Sequence, residues 1–255
     1  MEFTTKLPGA KRSVFIKDIN LEIKKGEIIA IMGHSGSGKS TLINKIAALV
    51  NPGNSDYTAS SRGTTGREYN SEIVLQNDRF VPWLSVYQNV YDAIDKVMPN
   101  NPESEKQQTT RNTLTMVNLD PYKDKLPGQL PPDIKQLTAV ARSFAMNPKI
   151  LLLDEPFLAL DATTKGLMHM ELLKLWHLDN RQKTIIVVTN DLEEAIILSD
   201  RVVLMNHAPA PAIKTIIDVA LPRPRHKKNM LQNPLYIEIK DRLLNFLFDR
   251  YSSCN

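Results

Sequence analysis

Along most of this chain, unbroken apolar runs alternate with stretches of helical periodicity. Val14, Ile16, Ile19, Leu21 and Ile23 alternate with polar positions and predict short strands between residues 13 and 25, closed by Lys24-Lys25-Gly26. Ile28, Ile29, Ala30, Ile31 and Met32 then form a continuous run, the pattern of a strand buried on both faces of a parallel sheet. A glycine-rich loop and a helix over 40–49 follow. Residues 51–71 are rich in Gly, Ser, Thr and Asn and read as loops and weak edge strands, with a further short strand at Ile73, Val74 and Leu75. From 78 to 145 the pattern turns helical, with helices predicted at 85–98, 103–118 and 133–146. Pro99, Pro102, Pro121, Pro127 and the pair Pro131-Pro132 separate them. Two more buried strands, 150–153 and 184–189, flank a helical stretch at 162–180. Strand, helix, strand in this order predicts an α/β fold with a parallel sheet. The tail carries a basic linker over 222–228. Beyond it Leu235, Ile239, Leu243, Phe246 and Leu247 stand at helical spacing, predicting a terminal amphipathic helix over 234–250. That helix packs on the core, or else serves as a regulatory or partner-binding contact.

Composition narrows the classes. The chain has 255 residues, enough for one large domain or a core with an inserted subdomain. With 24% charged and 42% hydrophobic residues it is globular rather than fibrous or disordered. Lysine and arginine number 32 against 28 acids, a net of +4 and a pI near 9.0. This excess falls short of the dense basic surface that nucleic-acid binding demands. Mean hydropathy is −0.27, and the longest apolar runs are far below the roughly twenty residues of a membrane span. The first residues lack a signal-peptide pattern, and the single cysteine, Cys254, excludes an intrachain disulfide. A cytosolic location is the expectation. The histidines at 34, 169, 177, 207 and 226 share no spacing that suggests a metal site. The basic run 223–228 reads as solvated surface, with contact to anionic lipid as the alternative.

Candidate chemistry concentrates in two places. Gly33-His34-Ser35-Gly36-Ser37-Gly38-Lys39-Ser40 fits G-x-x-x-x-G-K-[ST] and lies between a buried strand and a helix, the context that motif requires. Only 10 glycines occur in the chain, yet three fall within these eight positions. They let the backbone wrap a phosphate chain, while the helix that begins at Ser40 and Thr41 adds its positive dipole end. Lys39 bridges β- and γ-phosphates in such a loop, and the Ser40 hydroxyl ligates Mg²⁺. The second place is Ile150-Leu-Leu-Leu-Asp154-Glu155-Pro156, where a buried strand ends in two acids. Ligands of doubly wound sheets bind at the carboxyl ends of strands, so Asp154 is expected to hold Mg²⁺ through water and Glu155 to orient or deprotonate the attacking water. The alternative is an acidic turn that caps the next helix.

These residues resemble the ATP-binding cassette subunits of bacterial importers, and within them the nitrate, cyanate and bicarbonate group. Matching segments span nearly the whole chain. They are 23–27, the phosphate loop with its Gly-His-Ser opening, Leu75-Gln76-Asn77, 81–90, 151–161, 191–196, 199–203 and Leu221-Pro-Arg-Pro-Arg225. The resemblance implies a P-loop NTPase (RecA-like) core with a parallel sheet, an antiparallel β subdomain and an inserted α-helical subdomain. It divides the chain into a discontinuous nucleotide-binding core (1–77 and 146–221), a helical subdomain carrying the signature region (78–145), and the linker with its terminal helix (222–255). It also implies ATP and Mg²⁺ as ligands. Gln76 becomes the hinge glutamine that touches Mg²⁺ or the lytic water. Phe80, Pro82, Trp83 and Leu84 line the groove for a permease helix, with ordinary packing the alternative for Trp83. Asp161 lies at a dimer seam, and Phe3 stacks on adenine, Phe15 being the competing aromatic.

Two departures from the family pattern stand out. Where the family has Leu-Ser-Gly-Gly-Gln, this chain has Leu130-Pro131-Pro132-Asp133-Ile134, followed by a well-matched Lys135-Gln136. Proline carries no N–H, and Asp133 puts a carboxylate where a partner's γ-phosphate arrives. At about 5 Å and an effective dielectric near 20, each such pair costs roughly 3 kcal/mol. The helix itself survives, since proline and an acid suit a first turn. At Thr189-Asn190-Asp191 the family has histidine in the middle; asparagine still donates a hydrogen bond but carries no charge, a loss of about 10²–10⁴-fold in rate. The expectation is therefore a peripheral protein on the cytoplasmic face of the inner membrane, importing nitrate, nitrite, cyanate or bicarbonate. It works with permease subunits, with a periplasmic substrate-binding protein indirectly, and with a second ATPase subunit of intact signature in a heterodimer, or with itself. A catalytically impaired regulatory or structural subunit is the alternative. A cassette acting on DNA or in translation is disfavoured by the short single cassette and by its 81–83 and 221–225 segments.

Overall fold

The computed structural model describes residues 3–5, 13–16, 19–50, 71–74, 80–178, 183–206, 212–225 and 227–252. In chain order the elements are β1 (Phe3–Thr5), β2 (Ser13–Ile16), β3 (Ile28–Gly33), α1 (Lys39–Val50), β4 (Ser71–Val74), α2 (Val86–Val97), α3 (Glu103–Met116) and α4 (Pro132–Ala145). Then come β5 (Ile150–Asp154), α5 (Ala162–Leu178), β6 (Thr184–Val188), α6 (Leu192–Leu198), β7 (Arg201–Met205), β8 (Ile213–Asp218), α7 (Lys227–Met230) and α8 (Pro234–Ser252). They fall into two units, residues 1–68 with 184–255, and residues 69–183.

In the first unit every residue of β3 is buried, as an unbroken apolar run demands of a strand covered on both faces. Its neighbours in the sheet are β6 and β7, both parallel, with Ile31 opposite Val188 on one side and Gly33 opposite Met205 on the other. Polar side chains pin this register. The amide of Ile28 donates to the Asp200 carboxylate at 2.9 Å, while the amide of Asp200 donates back to the Ile28 carbonyl at 2.7 Å. One residue earlier, the Arg201 guanidinium grips the buried Glu27 carboxylate through both Nε and Nη2, and Nη2 also reaches the Glu22 carbonyl at 2.7 Å. The Glu27 hydrogen bond raises the Arg201 pKa above its ordinary value. Strand β8 adds an antiparallel edge to β7, and β1 pairs with β2 in a separate antiparallel ribbon.

The predicted strands between 13 and 25 are only partly present. Residues 13–16 form β2, whereas 19–24 have no ladder, although half-buried Ile19, Leu21 and Ile23 still alternate with exposed Asn20, Glu22 and Lys24. The period-2 pattern reports a one-sided surface here, with no strand paired to it among the described residues. The terminal helix packs on the core as expected: Tyr236, Ile239, Leu243 and Phe246 join Met32, Val202 and Leu204 in one apolar cluster.

Two arginines of the basic run just before that helix behave differently from the solvated stretch the sequence suggests. Arg223 donates to Asp200 and to the Leu198 carbonyl. Arg225 is buried and donates to the carbonyls of Ile196, Ser199, Val219 and Leu221 at 2.5–3.1 Å. Burial, reinforced by the charge of Arg223, pushes the Arg225 guanidinium down to about 10, still cationic at neutrality. Its fork satisfies the Ile196 and Ser199 carbonyls at the end of α6, which the finished helix leaves orphaned, and two more, of Val219 and Leu221, beyond β8.

In the second unit β4 and β5 pair in parallel, Ser71 opposite Ile150 and Val74 opposite Leu153. Helix α2 packs with both α3 and α4. Its buried face is Val86, Val90, Ala93 and Ile94, and that of α4 includes Ile134, Leu137, Val140, Ala141 and Phe144, the spacing of one helical stripe in each case. Helix α4 starts at Pro132, behind Pro131 as N-cap, so the two prolines open the helix as the sequence predicts.

Replacing Arg225 by Met removes the fork and strands four buried carbonyls. Urea unfolding is expected to give a loss of about 2–4 kcal/mol with an unchanged slope, and a loss below about 0.5 kcal/mol would contradict this role.

Candidate functional site

The phosphate loop grows out of β3 because the strand ends in a place only glycine fits. A Cβ on Gly33 would lie 2.7 Å from Ser37 Oγ, 2.8 Å from the Met205 carbonyl oxygen and 3.1 Å from Met205 Cβ. The chain then turns, the Ser37 amide donating to the His34 carbonyl at 3.1 Å, with Gly36 at φ 80° and Gly38 at φ 90°. Left-handed values of this kind carry little cost only in glycine. Helix α1 starts at Lys39, which puts Ser40 and Thr41 in its first turn.

Lys39 is buried, and its ammonium donates to the carbonyls of Gly33 at 2.6 Å and His34 at 3.1 Å. Nearby, the Ser37 hydroxyl is 1% exposed and has no hydrogen-bond partner, a state that costs a buried polar group about 1–3 kcal/mol. An ammonium folded onto loop carbonyls, an unsatisfied hydroxyl and a glycine backbone suit an incoming phosphate chain: each gains a stronger, charge-assisted partner. All nine residues from Gly33 to Thr41 therefore sit in one strand–loop–helix segment, as the sequence predicts.

Asn190 belongs to the same unit. The Thr189 amide donates to the Ile31 carbonyl at 3.1 Å, so Asn190 leaves the sheet beside the end of β3, with its side chain exposed. The Asp191 amide donates to the Thr189 hydroxyl at 3.0 Å, and its carboxylate caps α6 by accepting from the amides of Glu193 (3.0 Å) and Glu194 (3.1 Å). Phe3 lies in β1, but its side chain falls outside the described residues, and Gln76 falls outside them altogether.

In the second unit, β5 ends at the buried Asp154, and Glu155 follows in the left-handed region at φ 47°. A non-glycine residue is strained there, and its neighbours hold it. The Gln136 side chain of α4 donates through Nε2 to the Glu155 carbonyl at 2.8 Å and accepts the Ala159 amide through Oε1 at 2.7 Å. Further on, Asp161 caps α5, accepting from the amides of Thr163 and Thr164 and from the Thr164 hydroxyl at 2.6 Å. The Thr164 hydroxyl is the main reason its carboxyl stays below the usual range. Between these tethers Leu158 is exposed.

The segment before α2 is built by a residue to which the sequence reading gave no role. Buried Asn89 accepts the Val81 amide at 2.9 Å and donates to the carbonyls of Val81, Leu84 and Ser85. Ser85 and Gln88 complete a reciprocal cap on the helix. This scaffold carries Trp83, 75% exposed, with Pro82 exposed and Phe80 and Leu84 half-buried. Gln136 was likewise invisible in role: the sequence marks it as matched, but its partners lie 19 and 23 residues away.

A buried parallel strand, a glycine-shaped phosphate loop and a strand ending in Asp-Glu define a P-loop nucleotide-binding cassette. The sequence profile described as "ABC transporter" matches residues 16–158, and the chain belongs to that family. It is 39% identical over 241 residues to the nitrate import ATP-binding protein NrtC of Synechococcus elongatus, covering 94% of this chain but 36% of NrtC. To the bicarbonate transport ATP-binding protein CmpD of Synechocystis sp. it is 36% identical, covering 93% of this chain and 83% of CmpD. Among solved structures, the dimeric ATP-binding cassette MJ0796 in a post-hydrolysis state with ADP and Pi superposes with a TM-score of 0.73 at 29% identity, over 87% of this chain and 97% of that one. Among the described residues no helix is long and apolar enough to cross a membrane.

Gln136→Leu is expected to speed amide hydrogen exchange across 155–160 and to lower ATP turnover about 10- to 100-fold, with nucleotide affinity within about twofold. Gln136→Glu, which keeps only the acceptor, is expected to fall between. Unchanged exchange in Gln136→Leu would contradict the tether.

Proposed function

We propose that this chain is the ATP-hydrolysing subunit of an importer in the bacterial inner membrane, and that its cargo is a small inorganic anion. Nitrate or nitrite is the first choice, with cyanate or bicarbonate next, a choice supported by the names of NrtC and CmpD. The observation that carries the reading is the phosphate loop, with the Lys39 ammonium held on the Gly33 and His34 carbonyls and the Ser37 hydroxyl unsatisfied.

In this reading residues 33–41 bind the triphosphate of ATP, Lys39 exchanging loop carbonyls for β- and γ-phosphate oxygens. Ser40, Asp154 and Gln76 would hold Mg²⁺, which when bound neutralises charge on the phosphates. Glu155 orients the attacking water or takes its proton, and Asn190 offers a hydrogen bond near the γ-phosphate. Phe3 stacks on the adenine. The assignment of Asp154 and Glu155 to this nucleotide rests on their motif, on the burial of Asp154 and on the restrained backbone of Glu155. Residues 1–77 and 146–221 act as the nucleotide-binding core, 78–145 as the signature-bearing subdomain and 222–255 as the tail. The exposed Trp83 platform receives a cytoplasmic helix of a transmembrane permease, to which a periplasmic binding protein delivers the anion. The protein thus sits peripherally on the cytoplasmic face and has no nucleic-acid partner.

A heterodimer is the preferred assembly. Helix α4 begins with two prolines, so its first turn offers fewer amides to a partner's phosphate, and Asp133 adds like charge. A second cassette with an intact signature closes over this chain's loop instead. The same prolines and Asn190 also favour a second reading, a nucleotide-binding regulatory subunit with little turnover of its own.

Steady-state ATPase of the purified chain is expected to be slow alone and to rise at least about tenfold with the partner cassette, the increment vanishing in Glu155→Gln. Fast turnover by the isolated chain would contradict the heterodimer. Unaltered transport in Glu155→Gln, alongside lost ATP binding in Lys39→Ala, would favour the regulatory reading.

A further inference from the structure

We propose that the terminal helix α8 is a positioning element for the phosphate loop, acting through Phe246 on His34. The inference rests on the nucleotide-binding reading of that loop and concerns how its affinity is set.

His34 is the first residue after β3, and its imidazole packs against the Phe246 ring in a tilted pair, with centroids 5.4 Å apart and planes inclined by 31°. The ring is held from a second direction as well, since Lys214 Nζ of β8 lies 5.1 Å from its centroid. Phe246 is no loose rim contact. It is buried in the cluster formed by Met32, Val202, Leu204, Ile239 and Leu243, so it shares a core with the strand that delivers the loop.

On the loop side His34 is the pivot. Its carbonyl takes both the Lys39 ammonium and the Ser37 amide, each at 3.1 Å. Its predecessor Gly33 ends β3 beside β7, so close that an added Cβ would collide with the Met205 carbonyl oxygen. With the strand end fixed and the His34 ring fixed by α8, the carbonyl that organises the loop is fixed too. Ordering a loop opposes binding, and a loop ordered beforehand avoids that loss. The length of the chain between the two rings hides this link from the sequence, where Phe246 is one apolar position of an amphipathic helix.

The test uses the full chain and MgATP affinity measured by calorimetry, for Phe246→Ala, His34→Ala, the double variant and Leu243→Ala. Leu243 is buried in the same helix and cluster and has no ring to offer. Phe246→Ala is expected to weaken ATP binding about threefold to tenfold, the size of one aromatic contact. Leu243→Ala is expected to stay within about twofold despite a comparable fall in melting temperature. The double variant is expected to bind no more weakly than the weaker single, because the two rings act as one contact. Should Phe246→Ala not fold, Phe246→Leu keeps the bulk, loses the ring face and is expected to weaken affinity in the same direction. Additive effects, or equal effects of Phe246→Ala and Leu243→Ala, overturn the proposal and leave the nucleotide reading standing. Absence of ATP binding by the unsubstituted chain overturns both.

Discussion

The close approach of β3 and β7 at Gly33 is the constraint on which the loop depends. A side chain there would collide with the Met205 backbone and with Ser37, so the strand must end in glycine and the chain must turn at once. The strand is itself fixed from its other end, where Asp200 exchanges two hydrogen bonds with Ile28 and Arg201 grips Glu27. A buried parallel strand locked at both ends gives the next residues a rigid origin. Lys39 then folds back over that origin onto two carbonyls that compete poorly with a phosphate for its charge.

A common device recurs away from the loop. Asn89, Gln136 and Arg225 are side chains with several hydrogen-bonding groups, each half-buried or buried and each spent on the backbone of a neighbouring segment. Loops of this fold lack ladders to satisfy their amides and carbonyls, and a forked side chain supplies the missing partners from a rigid element. Asn89 holds the platform of Trp83, Gln136 the strained Glu155 and its successors, and Arg225 the carbonyls at the end of α6 and just beyond β8. These loops are thereby fixed by side chains of neighbouring elements.

Much of the scaffold was legible because it follows from periodicity. The apolar run at 28–32, the helical stripe of α4 and the glycines of the phosphate loop each specify local structure without long-range information. Strands β7 and β8 and helix α6 were missed as elements: the apolar run Val202 to Met205 is short, and the charged Asp200 and Arg201 before it act as register pins rather than as turn signals. Arg223 and Arg225 looked like solvated linker, since a charge run says nothing of the carbonyls that await it. The roles of Asn89, Gln136 and Phe246 depend on partners that only tertiary packing brings near. The prolines before α4 illustrate the reverse. Their helix-starting role was readable and is present, because it is a property of the proline ring alone.

Binding of MgATP to the purified chain, titrated calorimetrically beside Lys39→Ala, tests the central claim most directly. The account predicts saturable one-site binding to the unsubstituted chain and a loss of at least about 100-fold in the variant. Equal affinity of the two proteins would contradict it, because the ammonium on the Gly33 and His34 carbonyls would then have no part in holding phosphate.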